Sequence, residues 1–138
     1  MACEYGHVEL ASYLIERFEI DVNLQCENSH KTALFIATEK GHTQIVEQLI
    51  KRHDIDVNKM TAGKKTALYM AIERGNIDCV RTILRRCKIA DLYLETSFST
   101  TPLYIAQRKG DREIVRLMLL VGKKPDYNYC NDQGGNGT

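Results

Sequence analysis

The sequence predicts an all-α solenoid of stacked helix-turn-helix units with short β-hairpin connections, and three observations point to it. Glycines followed by a polar or charged residue and a helical pattern recur at Gly6, Gly41, Gly75 and Gly110, with spacings of 35, 34 and 35 residues. A nineteen-residue segment occurs three times, as TALFIATEKGHTQIVEQLI (Thr32 to Ile50), TALYMAIERGNIDCVRTIL (Thr66 to Leu84) and TPLYIAQRKGDREIVRLML (Thr101 to Leu119). Each helix of each copy carries one apolar stripe, and a lone helix pair of this size has nothing to bury its stripe against, so neighbours must stack.

The elements follow in chain order. ACEYGHVELASYLI is the back half of a first copy, and the partial unit it belongs to runs over about residues 1–24. The full units run over 25–59, 60–93 and 94–128, which gives a repeat array of 1–128. Residues 129–138 form a flexible tail or the start of a further hairpin, because NDQGGNGT repeats the loop pattern up to Thr138. Within each full unit Thr32, Thr66 or Thr101 precedes the first helix, where a hydroxyl accepts from an N–H of the first turn. Pro102 falls at the first helical position, where no intrahelical donor is lost. Leu34 with Ala37, Leu68 with Ala71 and Leu103 with Ala106 share a face at three-residue spacing, and the glycine then ends the helix as a left-handed residue. The second helices carry Leu10, Ala11, Leu14, Ile15; Ile45, Val46, Leu49, Ile50; Cys79, Val80, Ile83, Leu84; and Ile114, Val115, Met118, Leu119 as their stripes.

Composition narrows the function. With 43% apolar and 27% charged residues the chain is globular in type. No apolar run, that of Leu117 to Val121 included, comes near the roughly 20 residues of a membrane span. The five cysteines (Cys3, Cys26, Cys79, Cys87, Cys130) are odd in number with no C-x-x-C pair, which predicts free thiols, no structural metal and a cytoplasmic or nuclear setting. The net charge of +1 hides an asymmetry: residues 1–58 carry five Lys/Arg against ten Asp/Glu, and residues 59–124 carry fourteen against six. Such a basic second half steers acidic partners or serves only as a solvated face.

No catalytic chemistry is legible. The four histidines are His7, His30, His42 and His53, of which His7 and His42 directly follow the helix-ending glycines and read as structural. His53-Asp54 lacks a third partner and a nucleophile, and no nucleophile elbow, P-loop or zinc-helix motif occurs. Gly134 to Gly137 is too short for a phosphate loop. No catalytic residue, metal ligand or cofactor is therefore expected.

Taken together, these segments follow the pattern T-P-L-H-x-A-A-x-x-G-H-x-x-I-V-x-x-L-L-x-x-G-A-D-V-N, and the chain resembles the ankyrin repeat family over essentially its whole length. D-V-N itself stands at Asp21 to Asn23 and Asp56 to Asn58, with Asp126-Tyr127-Asn128 as a third match. Three departures carry expectations. Phe35, Tyr69 and Tyr104 replace the family's histidine, so its inter-repeat hydrogen bonds must be lost or remade. His30, Lys64 and Ser99 replace a loop glycine, which predicts altered hairpin turns. Ile89-Ala90-Asp91-Leu92 stands where D-V-N is expected, making that junction the least regular. The ends read as those of a piece of a longer array or of a chain with bare ends. Without polar caps the terminal units should fray first and leave apolar faces open to end-to-end stacking.

The resemblance implies recognition of a partner protein by a concave surface of hairpin tips and first helices, as a scaffold or adaptor. Carried over by position, that surface comprises Tyr5, Asn28, Ser29, Lys31, Glu39, Lys40, Lys65, Glu73, Arg74, Phe98, Arg108 and Lys109. Phe98 is either its aromatic anchor or a side chain folded back onto the irregular junction. An acidic partner segment suits the bases of this face. Arg81, Arg85, Arg86, Arg112 and Arg116 are expected to point outward from the second helices. That division of bases between two faces argues against nucleic acid, although polyanion binding through the basic second half is the alternative reading. A regulatory segment of a larger enzyme or channel is another. The resemblance also implies a candidate asparaginyl hydroxylation site at Asn128, the one D-V-N asparagine with a leucine, Leu120, eight residues before it.

Overall fold

The recurring threonines start their helices as the sequence predicts. In the computed structural model, which describes Ile15, Glu16 and residues 20–121, the hydroxyls of Thr32, Thr66 and Thr101 accept from the N–H groups of Phe35, Tyr69 and Tyr104. These bonds are 3.1, 3.2 and 3.0 Å long, and each satisfies a donor that the helix itself leaves unpaired. The helices they open are α1 (Ala33–Lys40), α3 (Ala67–Arg74) and α5 (Pro102–Lys109). Gly41, Gly75 and Gly110 end them at φ of +78°, +72° and +72°, backbone that a side chain at Cβ disfavours. The chain then reverses into α2 (Thr43–Lys51), α4 (Ile77–Leu84) and α6 (Arg112–Val121).

Successive units stack in two layers: α1, α3 and α5 pack side by side, and α2, α4 and α6 pack side by side behind them. The expected stripes form the core. Leu34, Ala37, Leu68, Ala71, Ile45, Val46, Leu49, Ile50, Cys79, Val80, Ile83 and Leu84 are all buried. The stripe of α6 is only partly covered: Ile114 and Met118 are buried, Val115 is half-buried and Leu119 is exposed. The reason is the stacking itself, since among the described residues nothing packs on the far flank of this unit. Of the first stripe only Ile15 is described, and it is buried.

The connections differ from expectation. Among the described residues no strand forms, and each connection is a tight loop closed by a main-chain bond. Those bonds run from Cys26 N to Lys31 O (2.9 Å), Thr61 N to Lys65 O (3.0 Å) and Thr96 N to Thr100 O (2.9 Å). His30, Lys64 and Ser99 sit at φ of +60°, +62° and +60°, so these residues enter the left-handed region that glycine favours. Neighbouring loops are tied by Ala62 N donating to Ser29 O (2.9 Å) and Ser97 N to Gly63 O (3.0 Å).

A second set of side chains joins the units at their other end. Arg86, expected to project outward, is instead half-buried and donates Nη1 to the carbonyls of Ile50 (2.7 Å) and Arg52 (2.9 Å). Those carbonyls lie at the C-terminal end of α2, where a helix has acceptors to spare and a cation is favoured. Arg52, one repeat earlier, does the same for Ile15 O (2.6 Å) and Ile20 O (3.3 Å), and its guanidinium also grips Asp54. The Asn23 side chain donates to Asp54 O (2.9 Å) and accepts from Asp56 N (2.8 Å). Asn58 reaches Asp91 Oδ1 (3.0 Å). The junction Ile89-Ala90-Asp91-Leu92 is irregular as expected, forming a 3₁₀ helix (Ile89–Tyr93) with Leu92 buried.

Candidate functional site

The loop tips and the first helices present one continuous row of side chains, because α1, α3 and α5 stack in register and their loops are bonded tip to tip. Tyr5 and the hydroxylation candidate Asn128 lie outside the described residues. The other residues expected at the partner surface are all described, and their charges are largely paired within the molecule. Lys31 Nζ lies 3.0 Å from Glu39 Oε1, and Lys65 Nζ lies 3.0 Å from Glu73 Oε1 at the same place in the next unit. Arg74 crosses between units to Glu39, at 3.9 Å. Each lysine also stands over the aromatic ring of its own helix, Lys31 at 5.8 Å from Phe35 and Lys65 at 5.6 Å from Tyr69. Asn28 and Lys40 are exposed, while Ser29 is half-buried and accepts from Lys31 N through its hydroxyl.

The aromatics that stand in the histidine position have distinct fates. Phe35 and Tyr69 are buried, and the Tyr69 hydroxyl bonds to Thr100 Oγ1 of the following loop at 2.8 Å, so one inter-repeat hydrogen bond is remade. Tyr104 is 46% exposed and accepts from Arg108 Nη1 at 3.2 Å. Phe98 does not fold back onto the junction. It is 82% exposed at the tip of the last described loop.

Two features of this face escaped the sequence reading. The Lys–Glu pairs recur at a spacing of eight residues, visible in the sequence as Lys31/Glu39 and Lys65/Glu73. Tyr104 was also missed, because its exposure depends on which neighbour covers it and no single-residue signal carries that. A further surface lies on the flank of the last described unit, where Gln107, Gly110, Arg112, Val115, Arg116, Leu119 and Leu120 bound an open groove of about 580 Å³. Among the described residues no group of three metal-ligating side chains occurs, and no helix is long and apolar enough to cross a membrane.

Paired helices stacked in two layers, with loops bonded in series along one edge, define a helical repeat protein. The family is specific. A family model of ankyrin repeats, three copies long, matches residues 1–61 and again residues 54–131, and the chain belongs to the ankyrin repeat family. No curated protein matches the chain. Ankyrin repeats are generally protein–protein interaction modules and typically have no catalysis of their own.

Proposed function

We propose that this chain is a scaffold or adaptor that holds a partner protein on the concave surface of its loop tips and first helices. The observation that carries the reading is Phe98, a phenylalanine 82% exposed at a loop tip among charged and polar neighbours. Exposing such a ring to water is unfavourable, and interface energy concentrates on rings of this kind once a partner covers them. The internal ion pairs keep the rest of the face hydrated and fix its charges, which suits selection of a partner more than raw affinity. On this reading the chain needs no cofactor and works in the cytoplasm or the nucleus.

The test is affinity capture from nuclease-treated cell extract, with the parent beside a Phe98→Ala, Lys65→Glu, Arg74→Glu variant of matching circular dichroism. A protein retained by the parent and lost by the variant is the expected result. Equal retention by both would move recognition to the second-helix face, with its exposed Arg81, Arg85, Arg112 and Arg116. A protein retained from untreated extract but not from the nuclease-treated one would favour the polyanion reading.

A further inference from the structure

Resting on that reading, we propose that the partner is an acidic peptide segment, and that its carboxylate docks on Arg108 while an apolar side chain beside it covers Phe98. The repeat lattice itself supplies the argument. In the α1 and α3 units a lysine at the end of the loop neutralises a glutamate eight residues later, as Lys31 does for Glu39 and Lys65 for Glu73. One repeat on, the same two places hold Thr100 and Arg108. The acid has become a base and the base has become neutral, so this unit presents positive charge where its neighbours present neutral pairs. Among the described residues neither Arg108 nor the adjacent Lys109 forms an ion pair. Arg108 is exposed, and its bond to the Tyr104 hydroxyl engages one end of the guanidinium fork, leaving further donors of the fork for a carboxylate.

The apolar half of the site arises in the same unit. Phe98 fills the place that Gly63 occupies one repeat earlier. The loop geometry is the same in both, since Thr96 N closes on Thr100 O as Thr61 N closes on Lys65 O. The side chain that Gly63 lacks is therefore added, 82% exposed, to a loop closed in the same way and leading into the helix that carries Arg108. Tyr104, bonded to Arg108, adds a second half-exposed ring to the same unit. An occupant of matching chemistry has an aspartate or glutamate close to a leucine, isoleucine or aromatic residue.

Selection of a random nine-residue peptide library on the whole chain tests this, followed by binding of the enriched peptides to variants that retain the parent's circular dichroism. Enriched peptides should carry an acidic residue near an apolar one. They should lose about tenfold or more in affinity on Arg108→Glu and on Phe98→Ala, and change by less than about twofold on Arg81→Gln, which lies on the other layer. Exchanging the peptide's acid for lysine should restore binding to the Arg108→Glu variant. Acidic peptides that respond to Lys31→Glu or Arg74→Glu but not to Arg108→Glu would overturn this docking site and leave the concave reading standing. Peptides indifferent to every substitution on this face would overturn both. Enriched peptides without acids, or no enrichment at all, would overturn the acidic partner.

Discussion

At the scale of single residues, the loops store strain in a form that substitution can read. Lys64 occupies a left-handed backbone at φ +62°, while Gly75 occupies one at φ +72° where a glycine meets the need without strain. Lys64→Gly should therefore raise stability by about 1 kcal/mol, and Gly75→Ala should lower it by about the same. An alanine Cβ at Gly75 would meet no atom within 4 Å, so the loss there is one of backbone conformation and not of collision. Urea midpoints at unchanged slope would check both. Asp54 offers a pH readout. The Arg52 guanidinium, by hydrogen bonding to it, holds its carboxyl below the usual aspartate range. Its stabilising effect is thus present above the ordinary aspartate value of about 3.9 and is lost as pH falls through the lower folded one. The stability gap between the parent and Asp54→Asn should close on acidification through that window. A gap constant from pH 7 down to pH 2, the range to scan at about half-unit steps, would rule the pair out as its source.

At the scale of elements, the helices were legible in the sequence and the joints between them were not. Thr32, Thr66, Thr101 and the three glycines mark helix ends by local chemistry, so their positions follow from the chain alone. Arg86 does not advertise its role. It follows a helix in sequence, and only stacking reveals that the carbonyls at the end of α2 lie within its reach. The same holds at the site. The spacing of Glu39 and Glu73 placed them on the right face, but their pairing with Lys31 and Lys65 depends on how each loop folds over its helix. Removing the joint should be felt. Arg86→Ala should cost about 1–2 kcal/mol, since charge-assisted bonds to two helix-end carbonyls go with it, and Arg86→Lys should recover only part. Chemical denaturation of the three proteins at one pH provides the comparison.

At the scale of the whole molecule, the described part is a one-dimensional stack in which each helix pair touches only its neighbours. Stability should therefore be graded along the chain rather than uniform. The α3–α4 unit has a described unit on each side, and its α4 residues Cys79, Val80 and Ile83 are fully buried. Amide exchange should be slowest in Cys79–Leu84 and Ile45–Ile50 and faster in α6, whose outer side exposes Leu119 and Leu120. Equal protection of α4 and α6 would contradict the graded picture. The arginine joints carry a consequence of another kind. Arg52 and Arg86 grip main-chain oxygens of the preceding unit, and every amino acid supplies those oxygens whatever its side chain. A fastening of that sort does not read its neighbour's identity, so a gene that duplicates, deletes or exchanges one unit keeps a working seam without a compensating change next door. The array can lengthen or trade modules by recombination while each exposed face varies on its own.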